Sequence, residues 1–140
     1  MGQKVELACI IDDDKIYVNL VKKIIEIKKL SNNLLIFKNG KEALDHFKLI
    51  LENASEEILP DIIFLDINMP IMDGWEFLNE FIKIKNIFDK KITLYVVSSS
   101  IDPRDLERAK SFNLVTDYLI KPIELKKFEK IFDRNGHAAA

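Results

Sequence analysis

Short apolar runs alternate along the chain with longer segments of helical period. Val5 to Ile11 is continuously apolar after Glu6, the pattern of a strand buried on both faces. From Asp14 to Lys29, Ile16, Leu20, Ile24 and Ile27 recur at helical spacing and predict a helix that packs through that face. Leu34 to Phe37 predicts a second strand, and Asn39-Gly40 is a turn signal ahead of a helix carrying Leu44, Phe47 and Leu51. Asn53 to Leu59 is polar and loop-like, and Ile62 to Leu65 is a third, wholly apolar strand. Gly74 to Phe88 predicts a helix with Phe77, Phe81, Ile84 and Phe88 on one face, followed by a fourth strand from Ile92 to Val97. Pro103 to Phe112 is a helix with Asp102 as its N-cap and Pro103 at its first position. Thr116 to Ile120 is the fifth strand, and Ile123 to Asp133 the last helix, with Leu125, Phe128 and Phe132 inward.

Five βα units in succession define an α/β chain with a five-stranded parallel sheet covered by helices on both faces. Right-handed crossovers limit its topology, and its reactive loops are expected beyond the carboxyl ends of the strands. The closing residues, Gly136-His137-Ala138-Ala139-Ala140, read as a disordered end or an expression remnant and take no part in the fold.

Composition narrows the function. The chain of 140 residues suits one domain, and 48% hydrophobic residues suffice for a core. A net charge of −2 gives no basic footprint for a nucleic acid, so none is expected as a partner. No apolar run approaches the roughly 18 residues of a membrane span, and the start, Met1-Gly2-Gln3-Lys4, lacks a signal-peptide stretch; a cytoplasmic location is expected, with no membrane partner. The single cysteine, Cys9, lies in an apolar segment and reads as a core thiol. Lys22, Lys23, Lys28 and Lys29 read as a solvated surface, and His46, without a partner at ligand spacing, as a surface histidine.

The chemistry gathers at the strand ends. Strand one ends in Asp12-Asp13-Asp14, strand three in Asp66, strand four in Ser98-Ser99-Ser100 and strand five in Lys121-Pro122. A parallel sheet brings these groups to one edge. Two like charges about 4 Å apart repel by roughly 4 kcal/mol at an effective dielectric of about 20. Asp12, Asp13 and Asp66 therefore call for a cation, and hard oxygen donors suit Mg²⁺, with Mn²⁺ as its substitute. With metal bound, the cleft admits phosphate: Lys121 adds a positive charge, Ser98 a hydroxyl, and Asp66 is the candidate nucleophile for an aspartyl phosphate. Each residue also has a plainer reading. Asp12 to Asp14 suit a helix cap, Asp66 a loop, Ser98 to Ser100 a turn, and Lys121 an ordinary surface. Asp73 and Gly74 read as an N-cap and a close backbone passage.

The segments Ile10-Ile11-Asp12-Asp13-Asp14, Ile63 to Gly74 (IFLDINMPIMDG), Val96-Val97-Ser98-Ser99 and Asp117 to Pro122 (DYLIKP) resemble the response-regulator receiver domain, the CheY-like family, over about residues 4–134, leaving 135–140 as tail. The resemblance implies a flavodoxin-like doubly wound sheet of order 2-1-3-4-5. It implies Asp66 as phosphoacceptor, Asp13 as direct Mg²⁺ ligand, Asp12 acting mostly through water, and the Asn68 backbone carbonyl as a further ligand. Ser98 and Lys121 then contact the phosphoryl group, Lys121-Pro122 is cis, and Tyr118 is the switch aromatic. It implies a sensor histidine kinase or phosphotransfer protein as donor, docking near the first helix, and a target on the helix 4–strand 5–helix 5 face. Such a chain is a two-component signalling switch, not an enzyme acting on other substrates. Serine at 98 in place of the commoner threonine and a long Glu52 to Pro60 stretch are mild departures. Three rivals are an unphosphorylated interaction module, a phosphatase with an aspartyl intermediate, and a flavodoxin. Asn68 leaves the phosphatase without its second acid, and Asp12-Asp13-Asp14 opposes the phosphate loop of a flavodoxin.

Overall fold

The computed structural model describes residues 5–53 and 59–135. The expectations for Met1 to Lys4, for the middle of the Asn53 to Leu59 loop and for the tail after Asn135 lie outside the described residues. The elements run β1 (Val5–Ile11), α1 (Lys15–Lys28), β2 (Ser31–Phe37), α2 (Gly40–Asn53), β3 (Ile62–Leu65), α3 (Gly74–Lys85), β4 (Thr93–Ser98), α4 (Pro103–Lys110), β5 (Val115–Ile120) and α5 (Leu125–Asn135). All neighbouring strands pair in parallel, in the order β2-β1-β3-β4-β5. This is the doubly wound arrangement, and the order reverses between β1 and β3, where a crevice opens beyond the strand ends.

The strand period of two divides the core. Cys9, Ile11, Ile63, Leu65, Leu94 and Val96 face one layer with Leu44 and Phe47 of α2, Phe77 and Phe81 of α3, and Ala109 of α4. Ala8, Ile10, Ile62, Phe64, Tyr95 and Val97 face the other with Val18, Val21 and Ile25 of α1 and Phe128 and Phe132 of α5. The apolar strand runs are thus buried on both faces. Cys9 is fully buried, and burial pushes its thiol pKa far up, as expected of a core thiol. Among the described residues no helix is long and apolar enough to cross a membrane.

Four expectations need correction. In α1 the face that packs is Val18, Val21 and Ile25, whereas Ile16, Leu20 and Ile27 are 84%, 54% and 76% exposed. Two apolar stripes run along this helix, and the side-chain pattern alone does not choose between them. α3 stops at Lys85, with Asn86 as its C-cap, and Phe88 reaches the core from the following turn. In α5 Phe128 and Phe132 point inward but Leu125, at the first position, is 42% exposed. His46 is half-buried rather than on the surface: its ring lies 5.1 Å from Phe37 and 5.7 Å from Phe47, and burial lowers its pKa.

At the amino ends of the strands, Asp61 accepts the backbone N–H groups of Glu6 and Leu7 at 3.0 and 3.1 Å and pairs with Lys90 at 2.9 Å. This buried carboxylate ties β1, β3 and the α3–β4 connection together at the end opposite the acidic loops.

Candidate functional site

β1 delivers Asp12 and Asp13. The Asp12 N–H donates to the Phe37 carbonyl at 2.9 Å, extending the strand pairing one residue beyond Ile11, and its carboxylate accepts the Asp14 N–H at 3.0 Å. Asp14 then caps α1 by accepting the Tyr17 N–H at 3.1 Å, so the third acid of the run is spent on the helix start. Asp12 is buried and Asp13 exposed.

β3 delivers Asp66, whose N–H donates to the Ile11 carbonyl at 2.9 Å. Its side chain is buried and accepts the Asn68 N–H at a long 3.5 Å. The next turn is tight. Ile71 has φ 68°, and the Met72 N–H donates to the Pro70 carbonyl at 2.7 Å, the two-residue hydrogen bond of a γ-turn. The Met72 carbonyl accepts the Gly40 N–H at 3.1 Å, tying this loop to the start of α2. Asp73 and Glu76 form a reciprocal capping box, and a Cβ on Gly74 would stand 2.5 Å from the Asp66 carbonyl oxygen. Gly74 therefore permits α3 to begin directly against the backbone of Asp66.

β5 delivers Lys121, and its bond to Pro122 is cis, as expected. The ammonium lies 2.8 Å from Asp12 Oδ2, 3.9 Å from Asp66 Oδ2 and 4.5 Å from the centre of the Tyr17 ring. β4 delivers Ser98, fully buried, whose Oγ accepts the Ser100 N–H at 3.1 Å. Ser100 joins three elements: its Oγ donates to Asp105 of α4 at 2.6 Å, and its carbonyl accepts the Tyr118 hydroxyl of β5 at 2.9 Å.

Asp12, Asp13 and Asp66 each bring a carboxylate oxygen within 4.8 Å of the others. Three acids facing one lysine leave net negative charge in a partly buried crevice. The Asp66 pKa is accordingly raised to about 7, first by burial, then by the Asp12 charge, with Lys121 and the Asn68 N–H pulling the other way. Burial and the same carboxylates push the Tyr17 phenol up as well. Hard oxygen donors, two of them buried and the third open to water, fit a small divalent cation.

Asp12, Asp13, Asp66 and Lys121 thus meet, as their strand-end positions predict. Tyr17, Asp105 and the Ile71 turn escape a reading of the sequence. The spacing places Tyr17 only coarsely, in the first turn of α1 three residues after the capping Asp14; the direction of its ring is a finding of the structure.

The family model of the response regulator receiver domain matches residues 8–133, and the chain belongs to that family. The sensor histidine kinase CheAY of Helicobacter pylori is 33% identical over 80% of this chain, which spans 13% of that protein. A two-component response regulator from Cytophaga hutchinsonii superposes with a TM-score of 0.81 at 27% identity, covering 94% of this chain and 97% of that one. The Mn²⁺-bound form of the response regulator Rcp1 superposes with a TM-score of 0.71 at 25% identity, covering 92% and 90%. The chain spans less than a third of the length of most curated relatives it matches.

Proposed function

We propose that residues 4–134 form a receiver in which Asp66 accepts a phosphoryl group from a phosphohistidine on a sensor kinase or phosphotransfer protein. The observation that carries this reading is the meeting of Asp66, two further carboxylates and Lys121 in one crevice. Asp12, Asp13, Asp66 and the backbone carbonyl of Asn68 would hold Mg²⁺, or Mn²⁺ as in Rcp1. A bound divalent ion supplies charge neutralisation for the transferring group. An Asp66 carboxylate oxygen bonds to phosphorus as the phosphorus–nitrogen bond breaks, and the imidazole leaves with the electron pair of that bond. Lys121 turns from Asp12 toward the phosphoryl oxygens. The Ser98 hydroxyl donates to one of them, drawing the Ser100 loop with it, and Tyr118 follows. The α4–β5–α5 face then changes its affinity for a downstream protein, a two-state equilibrium biased by a local charge.

The donor docks on α1. Ile16, Leu20 and Ile27 form an exposed apolar stripe there, Leu20 lining one groove with the exposed Leu125 of α5, and a helical phosphotransfer protein would cover it. The chain acts as a cytoplasmic switch, catalysing its own phosphorylation and dephosphorylation and nothing else. Intact mass after incubation with acetyl phosphate tests this. One phosphoryl adduct is expected with Mg²⁺ and none with a chelator; an unmodified chain under both conditions overturns it.

A further inference from the structure

We propose that Tyr17 is a positioning residue whose ring holds the Lys121 ammonium in the carboxylate crevice and guides it between Asp12 and Asp66. The inference deepens the proposed function and rests on Asp66 as the acceptor.

Lysine is a poor fixed point. Its long stem has many rotamers to lose, and its ammonium is strongly hydrated. Here the side chain is only 14% exposed, and three attractive surfaces converge on it: Asp12 at 2.8 Å, Asp66 at 3.9 Å and the Tyr17 ring at 4.5 Å. An aromatic face attracts a cation over a broad area, most strongly when both are shielded from water. The Asp12 contact must break if Lys121 is to meet a phosphoryl group on Asp66. The ring contact need not, because an aromatic face accepts a cation over a broad area.

Tyr17 is itself held firmly. Its N–H is fixed by the carboxylate of Asp14, and its ring packs with Ile123 against the core layer under α1 and α5. The Asp-Asp-Asp run therefore supplies the crevice acids through its first two members and, through its third, the ring on which the lysine rests.

Two measurements on the full chain decide the matter, using Tyr17→Phe, which keeps the ring, and Tyr17→Leu, which removes it. The first is the proton shift of the Lys121 ε-methylene. An upfield ring-current shift is expected in the parent and in Tyr17→Phe, and its loss in Tyr17→Leu; an unshifted parent overturns the proposal. The second is the rate of labelling by acetyl phosphate with saturating Mg²⁺. Tyr17→Leu is expected to be about fivefold slower, because an ammonium without the ring spends part of its time away from the acceptor, with most of the rate kept by Tyr17→Phe. In a Lys121→Ala background the Tyr17→Leu effect should vanish, because the two residues then have nothing left to couple. A full rate in Tyr17→Leu, or the same fold loss with and without Lys121, overturns the proposal. A parent that takes no label sinks the reading of Asp66 instead, while the ring-current shift still decides whether Tyr17 holds Lys121.

Discussion

Lys121 directs its ammonium to Asp12, at 2.8 Å, and stands 3.9 Å from Asp66. It is the cation set against three clustered carboxylates. Removing one member of a buried ion pair strands the other, at a cost of about 3–5 kcal/mol. Lys121→Met should destabilise the metal-free protein by an amount near the lower end of that range. Saturating Mg²⁺ should recover most of the loss, because the ion replaces the missing charge. Urea unfolding with and without Mg²⁺ checks both halves.

The raised Asp66 pKa fixes a sign for pH dependence. Its folded value, about 7, lies above the ordinary 3.8, so the folded protein holds this proton more tightly than the unfolded chain. The corresponding stability is present at low pH and is lost as pH rises through 7. Metal-free parent and Asp66→Asn should therefore differ most above pH 7, where the variant melts at the higher temperature. The gap should narrow as pH falls through the window from 7 to 3.8. Melting curves of both proteins across that window decide it.

Gly74 carries the approach of α3 to the Asp66 loop. Alanine there would place a Cβ 2.5 Å from the Asp66 carbonyl oxygen and 2.7 Å from Ile67 Cα, and both obstacles are backbone. Gly74→Ala should cost about 1–3 kcal/mol by overpacking and should also displace Asp66, weakening Mg²⁺ binding. Calorimetric titration against Mg²⁺, beside urea unfolding, separates the two effects.

Ile71 holds a β-branched side chain at φ 68°, in the left-handed region, while 76% exposed. Such a conformation costs on the order of 1–3 kcal/mol. Ile71→Asn removes the branching and loses little packing, so it should raise the urea midpoint with an unchanged slope.

Much of this architecture is legible in the chain. The short apolar runs of β1, β3 and β4, alternating with helical segments, read as strands of a sheet buried on both faces, and polar residues at their ends mark the crevice. α1 shows where pattern stops. Ile16-Leu20-Ile27 and Val18-Val21-Ile25 are comparable stripes, and the sheet together with the Asp14 cap selects the second. The early end of α3 has a similar origin, because Phe88 is buried from a turn as well as it would be from a helix. Contacts between distant elements, Tyr17 with Lys121 and Ser100 with Asp105 and Tyr118, depend on side-chain directions that one-dimensional spacing does not carry.

Locating the phosphoryl group is the most direct trial of the central claim. The full chain would be treated with acetyl phosphate and Mg²⁺, its modified residue mapped by peptide mass spectrometry, and Asp66→Asn treated in parallel. A single phosphoryl group on Asp66, absent from the variant, is the predicted result. Label on another residue, or undiminished label in Asp66→Asn, would contradict it.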